Sequence, residues 1–480
     1  MRSTGVRDRR FFGKTGICFL LFSAVLIYGV VVMGVAVTQV TMEDHLHRDF
    51  FLLALGLLGI AAAVAGWRPS KPSDSRERAL LIAAVALPCY ALFQFIPLPA
   101  ALVTFLSPAR RELLQGIEPL VGHRSFASVS IAPAVTFNHF LLLSGYCIIF
   151  FAVREFARRL RNPWAIAAPV VLIAAIEAIL GLAQFFAGGE GKSGATGTYA
   201  IREHLGGLLE MALPLAALYS ACLLWDLWHR DAEGLSAIPK ALAALAVSAL
   251  LLAGALFTLS RGTLLSVVTS AVVIGAFGLT GNSSIRKRFA IMLAIFAFGL
   301  TSLFFLTPIE LLSRLSEHTS AGRTAIWRDI PGAIAAYPVF GCGLGGFESA
   351  LLKFKDTVPT LVIDYAHNDY LQLLTELGIA GFSIAAVLFG SLVIRVATIA
   401  ATASRERWIG FACLGSFAAI LTHSMVDFNL YIPANAAVLA WISGLSAGLR
   451  PAEQRERHHS TRDRVIEVLS ASGRQSRQSP

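Results

Sequence analysis

Long apolar runs recur along this chain, at 16–40, 49–67, 79–98, 138–153, 164–187, 205–225, 241–259, 263–280, 289–307, 369–394, 408–426 and 433–449. Crossing the hydrocarbon core of a bilayer takes roughly 20 apolar residues at about 1.5 Å of helical rise each. The pattern predicts an all-α fold, a polytopic transmembrane bundle of about twelve spans. The first run follows a basic stretch, as a secretory signal would. It is too long for such a signal's apolar region and carries no clear small-x-small cleavage site, so it reads as the first span. No soluble domain is legible. The spans do not divide into halves with matching broken segments, as transporter folds often do.

Two of the polar breaks are long. The first, 99–137, is punctuated by Pro99, Pro108, Pro119 and Pro133. The second, 308–368, separates the ninth and tenth spans and opens with an amphipathic stretch, Leu311, Leu312 and Leu315 beside Arg314 and Glu317. A helix is expected from Arg323, bent or ended near Pro331 and Pro338. A glycine-rich turn follows, Gly341-Cys-Gly343-Leu-Gly345-Gly346-Phe347. A loop of this length on a compact protein is usually functional. The arginine-rich stretch 450–480 is expected to be a disordered cytoplasmic tail.

Composition agrees with the apolar pattern. Hydrophobic residues make up 56% of the chain and charged ones 15%, where a soluble domain has about a quarter charged. The formal charge is +10, and its placement sets the orientation. With residues 1–15 inside, the cytoplasmic connections carry Arg2, Arg7, Arg9, Arg10 and Lys14, then Arg68, Lys71, Arg76 and Arg78. Arg154, Arg158, Arg159 and Arg161, then Arg286, Lys287 and Arg288, then Arg405 and Arg407 follow the same rule, while the outer 41–48 loop has Arg48 alone. This is the positive-inside bias, and it puts both ends in the cytoplasm. The basic balance thus reports membrane orientation rather than nucleic-acid binding. Of the six cysteines, Cys342 alone falls in an outer loop, where it is expected as an exposed thiol, and no pair has zinc-ligand spacing.

Ionisable groups at or inside spans are costly and mark candidate function. The topology brings them to one side. Arg202, His204 and Glu210 begin the sixth span at its outer end. Arg261 sits between two apolar runs in Thr258-Leu-Ser260-Arg261-Gly262. His367, Asn368 and Asp369 begin the tenth span, with Glu376 a few turns deeper. His423 and Asp427 end the eleventh at a spacing that shares one helical face. Arg323 and Arg328 lie in the large outer loop. Any one of these fits an interfacial or hydrogen-bonded structural group; together they suit an anionic, phosphorylated substrate. Guanidinium stays charged, grips phosphate oxygens in bidentate fashion and stabilises a diphosphate leaving group without a metal. Histidine can take a proton from an attacking hydroxyl. Nucleotide donors are lacking outside the cell, so an activated substrate there is most simply lipid-linked.

Other signals do not hold. Gly341-x-Gly343-x-x-Gly346 matches a dinucleotide fingerprint, but that motif needs a strand before it and a βαβ unit around it. Here the glycines serve a tight turn or let backbone amides approach an anion. His45 and His47 beside Glu43 and Asp44 read as solvated loop residues rather than a metal site. Glu177, inside the fifth span, reads as a buried hydrogen-bonded carboxylate.

The stretch His367-Asn368, nine residues, Gly378, two residues, Gly381 resembles the signature of the O-antigen ligase and polymerase superfamily, departing from it at Phe382, where Thr is usual. Ser260-Arg261-Gly262, Arg323-x-x-x-Trp327 with Gly341-x-Gly343-x-x-x-Phe347, and His423-Ser-Met-Val-Asp427-Phe-Asn429 are similar to the same superfamily. The likeness covers about 195–435, including the loop 308–368; 16–194 is an N-terminal transmembrane region without such motifs, and 436–449 completes the last span.

The resemblance implies a GT-C-like, metal-independent, inverting glycosyltransferase of the bacterial inner membrane, with its site facing the periplasm and no cofactor. It would move a glycan from undecaprenyl diphosphate to the lipid A core, as a ligase, or to another glycan acceptor, as a polymerase of O-antigen or exopolysaccharide. By position His367 would be the base. Arg261, Arg323, Arg328 and Arg202 would hold the diphosphate, supported by Asn368, Trp327, Glu376, His423 and Asp427. The partners expected are the lipid-linked donor, the acceptor and membrane lipids, not nucleic acid. A transporter or lipid flippase, and a non-catalytic binder of polyprenyl glycans, are the competing classes. A flippase should spread ionisable groups through the membrane depth, whereas here they crowd one face.

Overall fold

Where water is excluded, the backbone must satisfy its own hydrogen bonds, and a helix does so within one segment. The computed structural model describes residues 14–33, 42–64, 69–160, 162–188, 194–229, 237–280, 320–356, 362–402 and 405–450, and these are helical almost throughout. In chain order the helices are α1 (Lys14–Met33), α2 (Met42–Val64), α3 (Ser75–Phe95), α4 (Ala100–Leu106), α5 (Pro108–Val121), α6 (Pro133–Arg159), α7 (Pro163–Ala187) and α8 (Arg202–His229). They continue with α9 (Ile238–Phe257), α10 (Arg261–Thr280), α11 (Ser320–Ala336), α12 (Phe347–Leu351), α13 (Asp369–Ala400), α14 (Arg407–His423) and α15 (Pro433–Gly448). The one departure from all-α among the described residues is a pair of two-residue strands, β1 (Leu98–Pro99) against β2 (Phe126–Ala127), antiparallel.

Among the described residues seven helices are long and apolar enough to cross a membrane: α3, α6, α7, α8, α9, α10 and α13. Helices α1, α2, α14 and α15 fall on four further expected spans, the last two only 17 and 16 residues long. The expected ninth span, 289–307, the amphipathic stretch from Leu311 to Glu317 and the tail beyond Arg450 lie outside the described residues. Helix boundaries differ from the apolar runs in a consistent way. The run at 138–153 is part of a 27-residue helix, α6. Residues 42–48, expected as a loop, are the first turns of α2. Apolar runs measure hydrocarbon thickness, and helices continue past it wherever polar side chains can reach water.

The core lies around α15. This helix is apolar and small all round, and every residue from Ala434 to Gly448 except Ala440 is buried. A helix without a polar face belongs in a protein interior, and small residues let neighbours approach. A Cβ at Gly444 would lie 2.5 Å from the Phe150 carbonyl of α6. Trp441, fully buried, donates its indole N–H to the Ile166 carbonyl of α7 (2.8 Å). The outward faces carry exposed apolar side chains such as Ile17, Leu53, Ile82, Leu172, Leu242 and Val387, an arrangement suited to lipid.

One end of the bundle is closed by ions. Arg154 and Glu77, both with no exposed side chain, pair at 2.5 Å, and Arg158 binds the same carboxylate. Arg154 also reaches the Ser70 carbonyl (3.2 Å). Arg395 of α13 caps α15 through the carbonyls of Ser446 (3.2 Å) and Leu449 (2.7 Å). Removing one member of such a cluster leaves an uncompensated buried charge. Glu77→Ala is accordingly expected to cost about 3 kcal/mol or more, read as a lower thermal midpoint in detergent, whereas Leu172→Ala on the lipid face leaves that midpoint nearly unchanged.

Candidate functional site

The opposite end is assembled around a helix that breaks. Gly378, ten residues into α13, has φ 61° and ψ −175°, a left-handed conformation that interrupts the helix. The interruption frees backbone groups on both sides, and the segment after α11 takes them up. Ile379 and Ala380 amides donate to the Pro338 (2.9 Å) and Val339 (3.1 Å) carbonyls. Cys342 and Gly343 amides donate to the Thr375 and Glu376 carbonyls, each at 3.0 Å. Gly341, at φ 74°, lies so close to the Glu376 carbonyl that a Cβ there would overlap it.

The glycine-rich turn then presents its amides to a carboxylate. Gly345 N donates to Glu376 Oε2 (2.7 Å) and Phe347 N to Oε1 (3.3 Å), while Tyr431 Oη donates to Oε2 (2.6 Å) and Gln372 to Oε1 (3.3 Å). The anion that these amides approach is therefore internal, and Glu376 is a brace. Cys342, expected as an exposed thiol, is buried, because the turn folds inward onto α13. From α3, Gln94 donates to the Phe340 and Glu376 carbonyls, both at 2.8 Å, and accepts from Leu344 N (3.1 Å). The first long polar segment joins the same assembly, since Ile131 N donates to the Cys342 carbonyl (2.9 Å) and Thr136 Oγ1 to that of Leu344 (2.8 Å).

The start of α13 is tied to the end of α14. Asn368 caps α13 by accepting from Leu371 N (3.1 Å) and donates Nδ2 to the Met425 carbonyl (3.0 Å). Asp369 N donates to the Ser424 carbonyl (2.9 Å), and its carboxylate accepts from Ser424 Oγ (2.7 Å). The helix expected from Arg323 starts at Ser320, passes through Pro331 and stops before Pro338 as α11. Trp327 on α11 donates its indole N–H to the Ala366 carbonyl (2.8 Å). Between these ties His367 is held at φ 49°, an uncommon conformation for a residue other than glycine.

The His367 side chain is 36% exposed, and its Nδ1 lies 3.6 Å from Asp427 Oδ1, slightly beyond hydrogen-bond length. Asp427 is buried. Burial pushes its carboxyl up, but His367 and the charges of His423 and Arg323 outweigh burial and hold it at about 2. Its contribution to stability is thus present above the ordinary carboxylate value of about 3.9 and is lost as pH falls toward 2. Phe428 joins the cluster physically: its ring stacks on Tyr365 (4.2 Å) and meets His367 (5.0 Å) and His204 (4.9 Å) edge-on.

His423 ends α14, with Nδ1 2.8 Å from Glu210 Oε2 of α8 and Nε2 3.7 Å from Asp427 Oδ2. Arg261 begins α10, and a Cβ on the next residue, Gly262, would lie 2.6 Å from His423 Nε2. Ser260 caps α10 by accepting from Thr263 N (3.3 Å). Arg202 begins α8 and pairs with Glu203 (3.0 Å). Arg323 shares a face of α11 with Trp327, one turn away. Arg328, five residues on, is exposed on a different face, so the cluster does not include it.

Of the residues that the sequence grouped by topology, His367 and His423 meet at Asp427, with Asp369 tied to Ser424 and His204 against Phe428, while Arg261 adjoins them through Gly262 and Arg202 is paired with Glu203. What the sequence left unread is Glu210 as the partner of His423 and Glu376 as a brace, since both contacts join distant segments. Glu177 is the buried carboxylate expected, and it accepts from Thr198 N and Oγ1, both at 2.8 Å. Beneath Tyr431 an apolar cavity of about 180 Å³ runs between α3, α6, α13 and α15, lined by Leu87, Leu143, Leu388 and Leu439 and topped by His139.

Residues 246–386 match the family described as O-antigen ligase, so the chain is O-antigen ligase-related over less than a third of its length. The matched stretch holds Arg261, Arg323, Trp327, Arg328, His367, Asn368 and Glu376; Arg202, Glu210, His423 and Asp427 lie outside it. No curated protein matches the chain. Gly378→Ala is expected to destabilise this end by about 1–3 kcal/mol from the positive-φ backbone alone. Overlap with Val339 adds to that cost. Faster proteolysis within 338–347, with little change in the far ion cluster, is the expected readout.

Proposed function

We propose that this O-antigen ligase-related membrane protein transfers a glycan from a polyprenyl-diphosphate carrier to an acceptor hydroxyl at the periplasmic face of the bacterial inner membrane. The observation that carries the reading is the His367–Asp427 pair, a half-open imidazole backed by a buried carboxylate at one end of an apolar bundle. With Nδ1 turned to Asp427, Nε2 is the nitrogen left to face substrate. It takes the proton of the acceptor hydroxyl as that oxygen bonds the anomeric carbon. The bond from that carbon to the diphosphate breaks on the opposite side, which inverts the centre. The leaving diphosphate keeps the bonding pair, and Arg261 and Arg323 hold its charge without a metal. Asn368 and Trp327 fix the backbone on either side of His367. Arg202 and Arg328 extend the basic surface over which the carrier approaches.

A lipid-linked donor also suits the cavity below Tyr431. Its apolar lining reaches Leu430 and Tyr431, a few residues from Asp427, and would take the first isoprene units while the glycan stays in water. In this reading the bundle has about twelve spans. Residues 195–435 form the ligase-related region, 308–368 is periplasmic, and 450–480 is a cytoplasmic tail.

His367→Ala and Arg261→Ala are expected to abolish transfer of glycan to the cell surface while both proteins still insert in the membrane; normal glycan in both strains would sink the proposal. Asp427→Asn should lower the rate about 100-fold, a typical loss for a disabled base. Activity in excess chelator is expected to match the untreated enzyme, and strict dependence on a divalent ion would rule out an arginine-held diphosphate.

A further inference from the structure

Asp427 is faced by two imidazoles rather than one. His367 Nδ1 stands 3.6 Å from Oδ1, and His423 Nε2 stands 3.7 Å from Oδ2. The second imidazole is gripped from behind, its Nδ1 2.8 Å from Glu210 Oε2. Glu210 is fully buried and His423 is 1% exposed. Carboxylate, imidazole, carboxylate and imidazole therefore follow one another from the interior out to the half-open His367.

With Glu210 and Asp427 both ionised, donor counting assigns a charge to His423. A neutral imidazole has one N–H and one lone pair. Between two carboxylates it would turn that lone pair on one of them. An imidazolium offers one N–H to Glu210 and turns the other toward Asp427, 3.7 Å away. Glu210, His423 and Asp427 then carry two negative charges and one positive, a net single negative charge opposite His367. That is the charge needed to stabilise His367 once it has taken a proton, and it is in place beforehand. The string is tight at its buried end and longer at its open end, where substrate would close it.

We infer that Glu210 and His423 are positioning residues that fix the charge on Asp427 and thereby poise His367 as the base. The inference rests on the reading of His367 given above. Other charged groups face the string as well. His204 and Glu203 on α8, Asp369 at the start of α13 and Arg323 on α11 interact electrostatically with Asp427 or His423. Arg261 starts the neighbouring helix, α10. These groups stay constant while the pair is varied, so a change in pH dependence reports the pair.

The test uses the full chain in liposomes, with a polyprenyl-diphosphate-linked short glycan as donor and lipid A core as acceptor, and follows kcat/KM against pH. Glu210→Gln makes the string less negative, so the acidic limb should move to lower pH by about one unit while kcat falls about tenfold. His423→Gln removes the positive charge and should move the limb the other way by a similar amount. Glu210→Asp keeps the charge and the limb. The double variant Glu210→Gln/His423→Gln restores the net charge and brings the limb back, with the donor KM unchanged throughout.

Limbs that stay fixed while activity falls, or that move in the same direction, would make the pair merely structural and overturn the inference. If His423→Gln does not fold, Glu210→Gln beside Glu210→Asp decides alone, an unmoved limb in the former being fatal. A fully active His367→Ala would instead refute the reading of the base. An inactive His367→Ala with unmoved limbs would refute only this inference.

Discussion

A helix that breaks inside an apolar bundle must find new partners for its freed backbone groups, because hydrocarbon offers none. In this chain α13 breaks at Gly378, and the partners are the amides and carbonyls of 338–343. Much of the site follows from that requirement. The glycine-rich turn must lie flat on α13, so it needs residues without a Cβ. Once there, its amides need an acceptor, and Glu376 stands two residues before the break. Glu376 in turn fixes Tyr431, which borders the apolar cavity and packs 5.9 Å from Tyr365. The break also leaves the first turns of α13 as a short rigid unit, tied at its start to α14 and carrying His367 at its tip.

The two ends of the bundle treat buried charge differently. Around Glu77 the pairs close tightly and the arginines also reach carbonyls, which suits a fixed anchor between α3 and α6. Around Asp427 the contacts lengthen toward the opening, and an aromatic ring, Phe428, separates His204 from His367 rather than a further ion. One cluster has no need to change protonation; in the proposed reading, the other receives a single proton from outside. Both ends depend on the same low-dielectric interior, which strengthens a pair and penalises a lone charge.

The positions of the described spans were legible because apolar length is a local property of sequence. The grouping of His367, His423 and Asp427 was legible through topology, since alternating spans bring alternate connections together. The motif spacing from His367 to Gly378 could be read as a family likeness, and its physical basis emerges only with the loop that packs on the break. Glu210 and His423 are 213 residues apart, and nothing in either neighbourhood announces the other. Glu376 looked like a functional carboxylate within a span, yet four donors occupy it. Cys342 looked exposed because loops usually are, and this one is folded inward by the amides it must satisfy.

The burial of α15 has a consequence for biogenesis. It is synthesised after every other described helix, yet it occupies the middle, wrapped by α1, α6, α7, α8 and α13 rather than by lipid. The other described helices can therefore reach their final packing only once it is in place. Its short length and small side chains suit that arrival, since such a helix gains more from protein neighbours than from lipid. The helix that sets the spacing of the others is thus the last of the described helices to be made.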